Sequence, residues 1–214
     1  MAEFNSDEER FAAIVNFFKD NKNFLLIGFA LISIVLITSI SYQSFTSNQN
    51  ARAAEIYDAW FTGLAAESAD SDETNINFNS LQEKYANTGY GQLARMIRGS
   101  SFAREGDLES ALLEFQELSQ ISSGLFGNNL LNSIAQLNIA RIELSKNNYS
   151  NALKALESFN SDSEHSLVYE LKGDALLGLE KNNLALDQFS LAIENTIDES
   201  QKSLLKMKVN NITQ

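Results

Sequence analysis

The chain contains no cysteine and no proline, and only one histidine and one tryptophan. Without cysteine there is no disulfide framework, no thiolate metal site and no cysteine nucleophile, and the redox compartment cannot be read. Without proline nothing forces helices to break. A composition rich in Leu, Ala, Glu, Asn and Ser then favours helices joined by Gly and Asn turns over a strand-rich sandwich. Cations are also scarce: 16 Lys and Arg stand against 28 Asp and Glu, a formal charge of −12. Phosphate binding needs clustered cations, and no basic stripe occurs, so nucleic acid is excluded as a partner.

Chemistry is scarce as well. His165, in "NSDSEHSLV" beside Asp162 and Glu164, has no second His or Cys to converge with. A general acid-base or metal site needs several such groups, so the expectation is no enzyme, no metal and no cofactor. Phosphate loops of the Gly-x-x-x-x-Gly-Lys-[Ser/Thr] and Gly-x-Gly-x-x-Gly forms are absent. Gly89-Tyr90-Gly91 reads as an interhelix turn, and the acids at 70–73 and at Asp107, Glu109, Glu114 and Glu117 read as solvated faces.

What is present begins with "KNFLLIGFALISIVLITSISYQSF" at Lys22. No residue between Asn23 and Ala51 is charged. A membrane span needs roughly 20 mostly apolar residues, and Phe24 to Phe45 supplies them, with Tyr42 and Phe45 as interfacial aromatics. Residues 1–22 hold five acids and three bases, unlike the positive leader of a cleaved signal peptide. Arg10, Lys19 and Lys22 precede the span and only Arg52 follows closely, which predicts a cytoplasmic N-terminus. Ser6-Asp7-Glu8-Glu9 has the capping-box form. Phe11, Ile14, Val15 and Phe18 follow on one helical face, a short amphipathic helix at the inner surface or an extension of the span. Gly28, Ala30, Ser33 and Ser41 are the small or hydroxylated positions at which a partner helix can approach within lipid. The organisation expected is a tail (1–22), a transmembrane helix (23–45) and a helical repeat domain (46–214).

Within that domain "TSNQNA" reads as a polar exit, a helix follows over 52–67, and "SADSDETN" reads as a loop. Helices are also expected at 79–85 and onward from Tyr90, with a last one over 198–211. Three stretches line up: "GSSFAREGDLESALLEF" from Gly99, "ARIELSKNNYSNALKAL" from Ala140 and "GDALLGLEKNNLALDQF" from Gly173. Each opens on a small residue, turns at Gly106-Asp107, Asn147-Asn148 or Asn182-Asn183, reaches Ala111, Ala152 or Ala185, and then a bulky Phe115, Leu156 or Phe189. This is the tetratricopeptide pattern, small where paired helices touch and bulky in the gap between them. Ala152 and Ala185 are 33 residues apart and Ala111 and Ala152 are 41 apart, so "SGLFGNN" reads as an insertion into a period of about 34. The array is degenerate: the aromatic of the first helix is Phe102 in the first unit but Glu143 in the second, and the closing proline is missing. The fold class expected is all-α, one transmembrane helix followed by a degenerate tetratricopeptide-like array.

"NFFKDN" before the span, "YGQLA" from Tyr90, "LNIARIEL" before the second turn, "KGDALLGL" from Lys172 and "KMKVNNI" near the end occur in an order that resembles the YfgM-type ancillary subunits of the SecYEG translocon. The resemblance implies a single-pass bacterial inner-membrane protein with a periplasmic repeat domain. It implies a non-catalytic role at SecYEG, beside a PpiD-type membrane-anchored foldase, assisting unfolded secretory clients. The alternative it carries is an envelope-stress regulator acting as antagonist of the RcsB response regulator. Groove positions transferred from tetratricopeptide repeats are Met96, Ser100 and Arg104, then Leu137, Arg141 and Ser145, then Glu170 and Asp174.

Overall fold

The computed structural model describes residues 7–65, 71–124, 127–159 and 165–213. Every regular element among them is a helix: α1 (Asp7–Asp20), α2 (Lys22–Ala65), α3 (Asp72–Tyr85), α4 (Gly89–Glu105), α5 (Leu108–Ser122), α6 (Asn129–Ser145), α7 (Tyr149–Ala155), α8 (Ser166–Gly178), α9 (Asn182–Glu194) and α10 (Glu199–Thr213). The chain divides into two compact units, Met1–Arg52 and Ala53–Gln214.

The first unit holds α1 and the apolar part of α2. Ser6, the expected cap of α1, lies outside the described residues. Asn21 separates the two helices, and its side-chain amide and its backbone N–H both donate to Phe17 O, at 2.9 and 3.0 Å. Phe11, Ile14, Phe17 and Phe18 are exposed, so no other described residue of the unit covers the apolar face of α1. Helix α2 is long and apolar enough to cross a membrane, and none of its apolar window is buried by protein. One of its hydroxyls bonds along the helix: Thr38 Oγ1 donates to Ile34 O at 2.7 Å. The polar exit expected at 46–51 is helical instead. Thr46 Oγ1 donates back to Tyr42 O and Gln43 O, both at 3.0 Å, and with neither Gly nor Pro there the polar residues do not interrupt the ladder.

In the second unit each helix from α3 to α10 packs on the next, and α4, α6 and α8 also touch one another in turn. That adjacency makes α4/α5, α6/α7 and α8/α9 three stacked hairpins whose first helices share one side. The small-against-bulky register holds in all three. A Cβ on Gly99 would lie 3.3 Å from the Phe115 ring and one on Gly173 only 2.6 Å from the Phe189 ring. Ala140 and Leu156 are fully buried in the same cluster.

The hairpin turns share one geometry. Gly106, Asn147 and Glu180 take positive φ values of 85°, 60° and 59°. The next residue's N–H closes back on the helix: Asp107 to Phe102 O at 2.9 Å, Asn148 to Glu143 O at 2.8 Å and Lys181 to Leu176 O at 2.9 Å. The third turn is therefore at Glu180-Lys181, not at Asn182-Asn183, which begin α9. Seven residues after Gly173 the backbone must turn, and here it does so with glutamate rather than with the nearby asparagines. The expected loop "SADSDETN" is corrected too. Helix α3 starts at Asp72, because Ser71 Oγ accepts from Thr74 N at 3.2 Å and Asp72 and Glu73 suit the positive end of the helix. Residues 66–70 of that region lie outside the description. Gly89-Tyr90-Gly91 is the first turn of α4, capped by Thr88.

Candidate partner-binding face

The predicted groove positions fall on α4, α6 and α8. Met96 and Leu137 are half-buried against the cluster that α5 to α8 build. Ser100 and Ser145 bond to their own helices, at Met96 O (2.8 Å) and Arg141 O (3.0 Å). Arg104 and Arg141 are exposed, and Arg104 Nε lies 3.3 Å from Ser100 O. The first two units thus each carry one exposed arginine and one half-buried apolar residue among these positions.

The third unit is different, because α10 lies over it. Lys208 Nζ donates to Glu170 Oε1 at 2.9 Å and to both oxygens of Asp174 at 2.7 and 2.8 Å, and sits 5.5 Å from the centre of the Phe189 ring. Gln201 adds a bond to Glu170 at 3.3 Å, and Leu205 is fully buried below. Burial raises the Asp174 carboxyl above the ordinary aspartate value in spite of its bond to Lys208. Burial also opposes the Lys208 charge, but bonds to Asp174 and Glu170 outweigh it and hold the ammonium above the ordinary lysine value.

The acids read as solvated faces are mostly engaged. Glu114 is buried and accepts from Arg95 at 2.7 Å; Arg95 also pairs with Glu117, and its Nε donates to Gln82 Oε1 at 2.9 Å. Arg98 lies 3.6 Å from Glu114 and stacks over Phe78 at 4.1 Å. Burial pushes the Glu114 carboxyl up, with Arg95 and Arg98 pulling the other way. Lys146 reaches across to Glu109 at 2.5 Å. Asp107 caps α5 by accepting from Ser110 N at 3.1 Å, and the bonds from Ser110 hold its carboxyl low. This network ties α3, α4 and α5 together. Its only trace in the sequence is Arg95 and Arg98 on α4 followed by the acids Glu114 and Glu117 on α5, the second helix of the same hairpin.

In the span, a helix advancing about 100° per residue puts Ala30, Ser33 and Ser41 on one face and Gly28 on the opposite one. A Cβ on Gly28 would meet nothing within 4 Å. His165 is the exposed residue preceding α8 and makes no capping bond. Among the described residues no group of three or more His, Cys, Asp or Glu is placed to hold a metal ion.

Hairpins that repeat a small-to-bulky contact and a left-handed turn, with their first helices side by side, define a helical-repeat protein of the tetratricopeptide class. The chain belongs to the tetratricopeptide repeat-like domain family, which it matches over residues 16–214. It is similar to the "Ancillary SecYEG translocon subunit" of Escherichia coli (strain K12), 21% identical over 98% of both chains. The protein of the same name from Buchnera aphidicola is 22% identical over 93% of this chain and 98% of its own. That from Neisseria gonorrhoeae is 24% identical over 85% of this chain and 88% of its own.

Proposed function

We propose that this chain is a non-catalytic ancillary subunit of the bacterial Sec translocon, held in the inner membrane by the apolar part of α2. Similarity through nearly the whole length to proteins named for that role carries the reading. An unburied apolar helix followed by a repeat stack, a scaffold for extended interaction surfaces, fits it. In this reading residues 1–22 are cytoplasmic and the repeat domain, 46–214, is periplasmic. The open groove around Met96, Ser100, Arg104, Leu137, Arg141 and Ser145 takes a PpiD-type foldase or an unfolded secretory client, while Glu170 and Asp174 are held by α10. The face of Ala30, Ser33 and Ser41 packs on a translocon helix, with small residues allowing close approach.

The test is affinity purification from membranes of the chain and of a version in which Phe24 to Ile40 is replaced by an unrelated apolar span of equal length. SecYEG is expected with the parent and depleted with the swapped version, whose repeat domain stays folded. Equal recovery from both would move recruitment into the repeats, and absence of SecYEG from the parent would overturn the reading.

A further inference from the structure

One buried acid lies outside both the groove and the Arg95 network. Glu143 stands where the first unit has Phe102 and the third has Leu176, three residues after the small residue of each repeat. It is only 5% exposed. Its bonds come from neutral amides, Asn148 Nδ2 to Oε2 at 2.8 Å and Asn151 Nδ2 to Oε1 at 3.5 Å. Among the described residues no cation lies within the 4.0 Å of an ion pair. A buried carboxylate is costly unless it is paired, and the other two units fill this position with an apolar side chain at no such penalty.

The carboxylate borders an open cleft of about 370 Å³ between α5, α6 and α7, walled also by Gln116, Ser119, Gln136, Asn151 and Lys154. Gln136 Nε2 donates to Ser119 Oγ at 2.6 Å and Asn151 Nδ2 is turned to Glu143, so both amides keep their carbonyl oxygens for a guest. A planar cation with several N–H groups can bond an anion and neighbouring amide oxygens at once, which a single-point donor cannot. The cleft has room for a side chain rather than for a folded element. Among the described residues Lys154 is the one cation on its wall and forms no ion pair; it is exposed, so it opposes a second cation from the rim.

We propose that this cleft is a binding site for an arginine side chain of a partner polypeptide, with Glu143 as its counter-ion. The site is separate from the groove and does not rest on attachment to the translocon. The full chain in detergent micelles would be titrated into two labelled pentapeptides, one with a central arginine and one with uncharged, near-isosteric citrulline, read by fluorescence anisotropy. The arginine peptide is expected to bind about tenfold tighter, Glu143→Gln to erase the difference and Lys154→Ala to widen it. Equal binding of the two peptides, or a preference that survives Glu143→Gln, would overturn the proposal. Should Glu143→Gln fail to fold by circular dichroism, Lys154→Glu serves instead: it must strengthen the arginine preference, and no change would be equally fatal.

Discussion

Gly173 shows how strictly one residue can be fixed by its neighbour. A Cβ there would sit 2.6 Å from the ring of Phe189, itself fully buried, so Gly173→Ala forces the ring to move within a closed core. The expected loss is about 1–3 kcal/mol, seen as a lower thermal midpoint than for exposed Lys181→Ala. Glu114 tests a subtler balance. Because burial raises its carboxyl above the ordinary 4.5, the folded state holds the proton more tightly than the unfolded chain does. Stability therefore falls as pH rises from that ordinary value through the folded one. Glu114→Gln removes this fall, so the variant should match the parent at acid pH and gain on it as pH rises, in denaturant titrations across that range. A variant that instead loses ground with rising pH would mean that Arg95 outweighs desolvation.

Among the elements, α10 is fastened as much by charge as by apolar contact. Lys208→Met leaves Glu170 and Asp174 half-buried and facing each other, at an expected loss of about 1–2 kcal/mol after allowing for solvent screening. Amide exchange should quicken over 199–213 and stay unchanged in α4 to α6. Adding Asp174→Asn should recover part of the loss. The hairpins were legible in the sequence because a small residue and a bulky one recur at fixed offsets, which a stack needs wherever two helices close on each other. The third turn was not, because Glu180 adopts a left-handed conformation that composition assigns to Gly or Asn, and Asn182-Asn183 drew the reading two residues on. The polar run at 46–51 misled in the same way: polarity alone does not end a helix that local hydroxyl bonds support. The Lys208 clip and the Arg95 network were hidden because their partners lie 34 to 38 and 13 to 22 residues apart, beyond any local pattern.

For the whole molecule, the clearest expectation is topological. Arg10, Lys19 and Lys22 outnumber Arg52 across an uncharged span, so protease added to intact spheroplasts should digest the domain after Arg52. Protection of that domain with cleavage within residues 1–22 would reverse the orientation. Among its described residues the second unit has not one apolar interior but three. Trp60, Phe78 and Leu81 centre the first, Phe115, Leu118 and Leu156 the second, and Phe189 and Leu205 the third. Helix α4 adds Ala94 to the first and Met96 and Phe102 to the second, while α8 adds Val168 and Leu171 to the second and Tyr169 and Leu176 to the third. The chain's one tryptophan lies wholly in the first of these. Its fluorescence is therefore a local gauge: an unfolding curve followed at Trp60 will stay flat while α9 and α10 melt, and only ellipticity, which counts every helix, will register that loss.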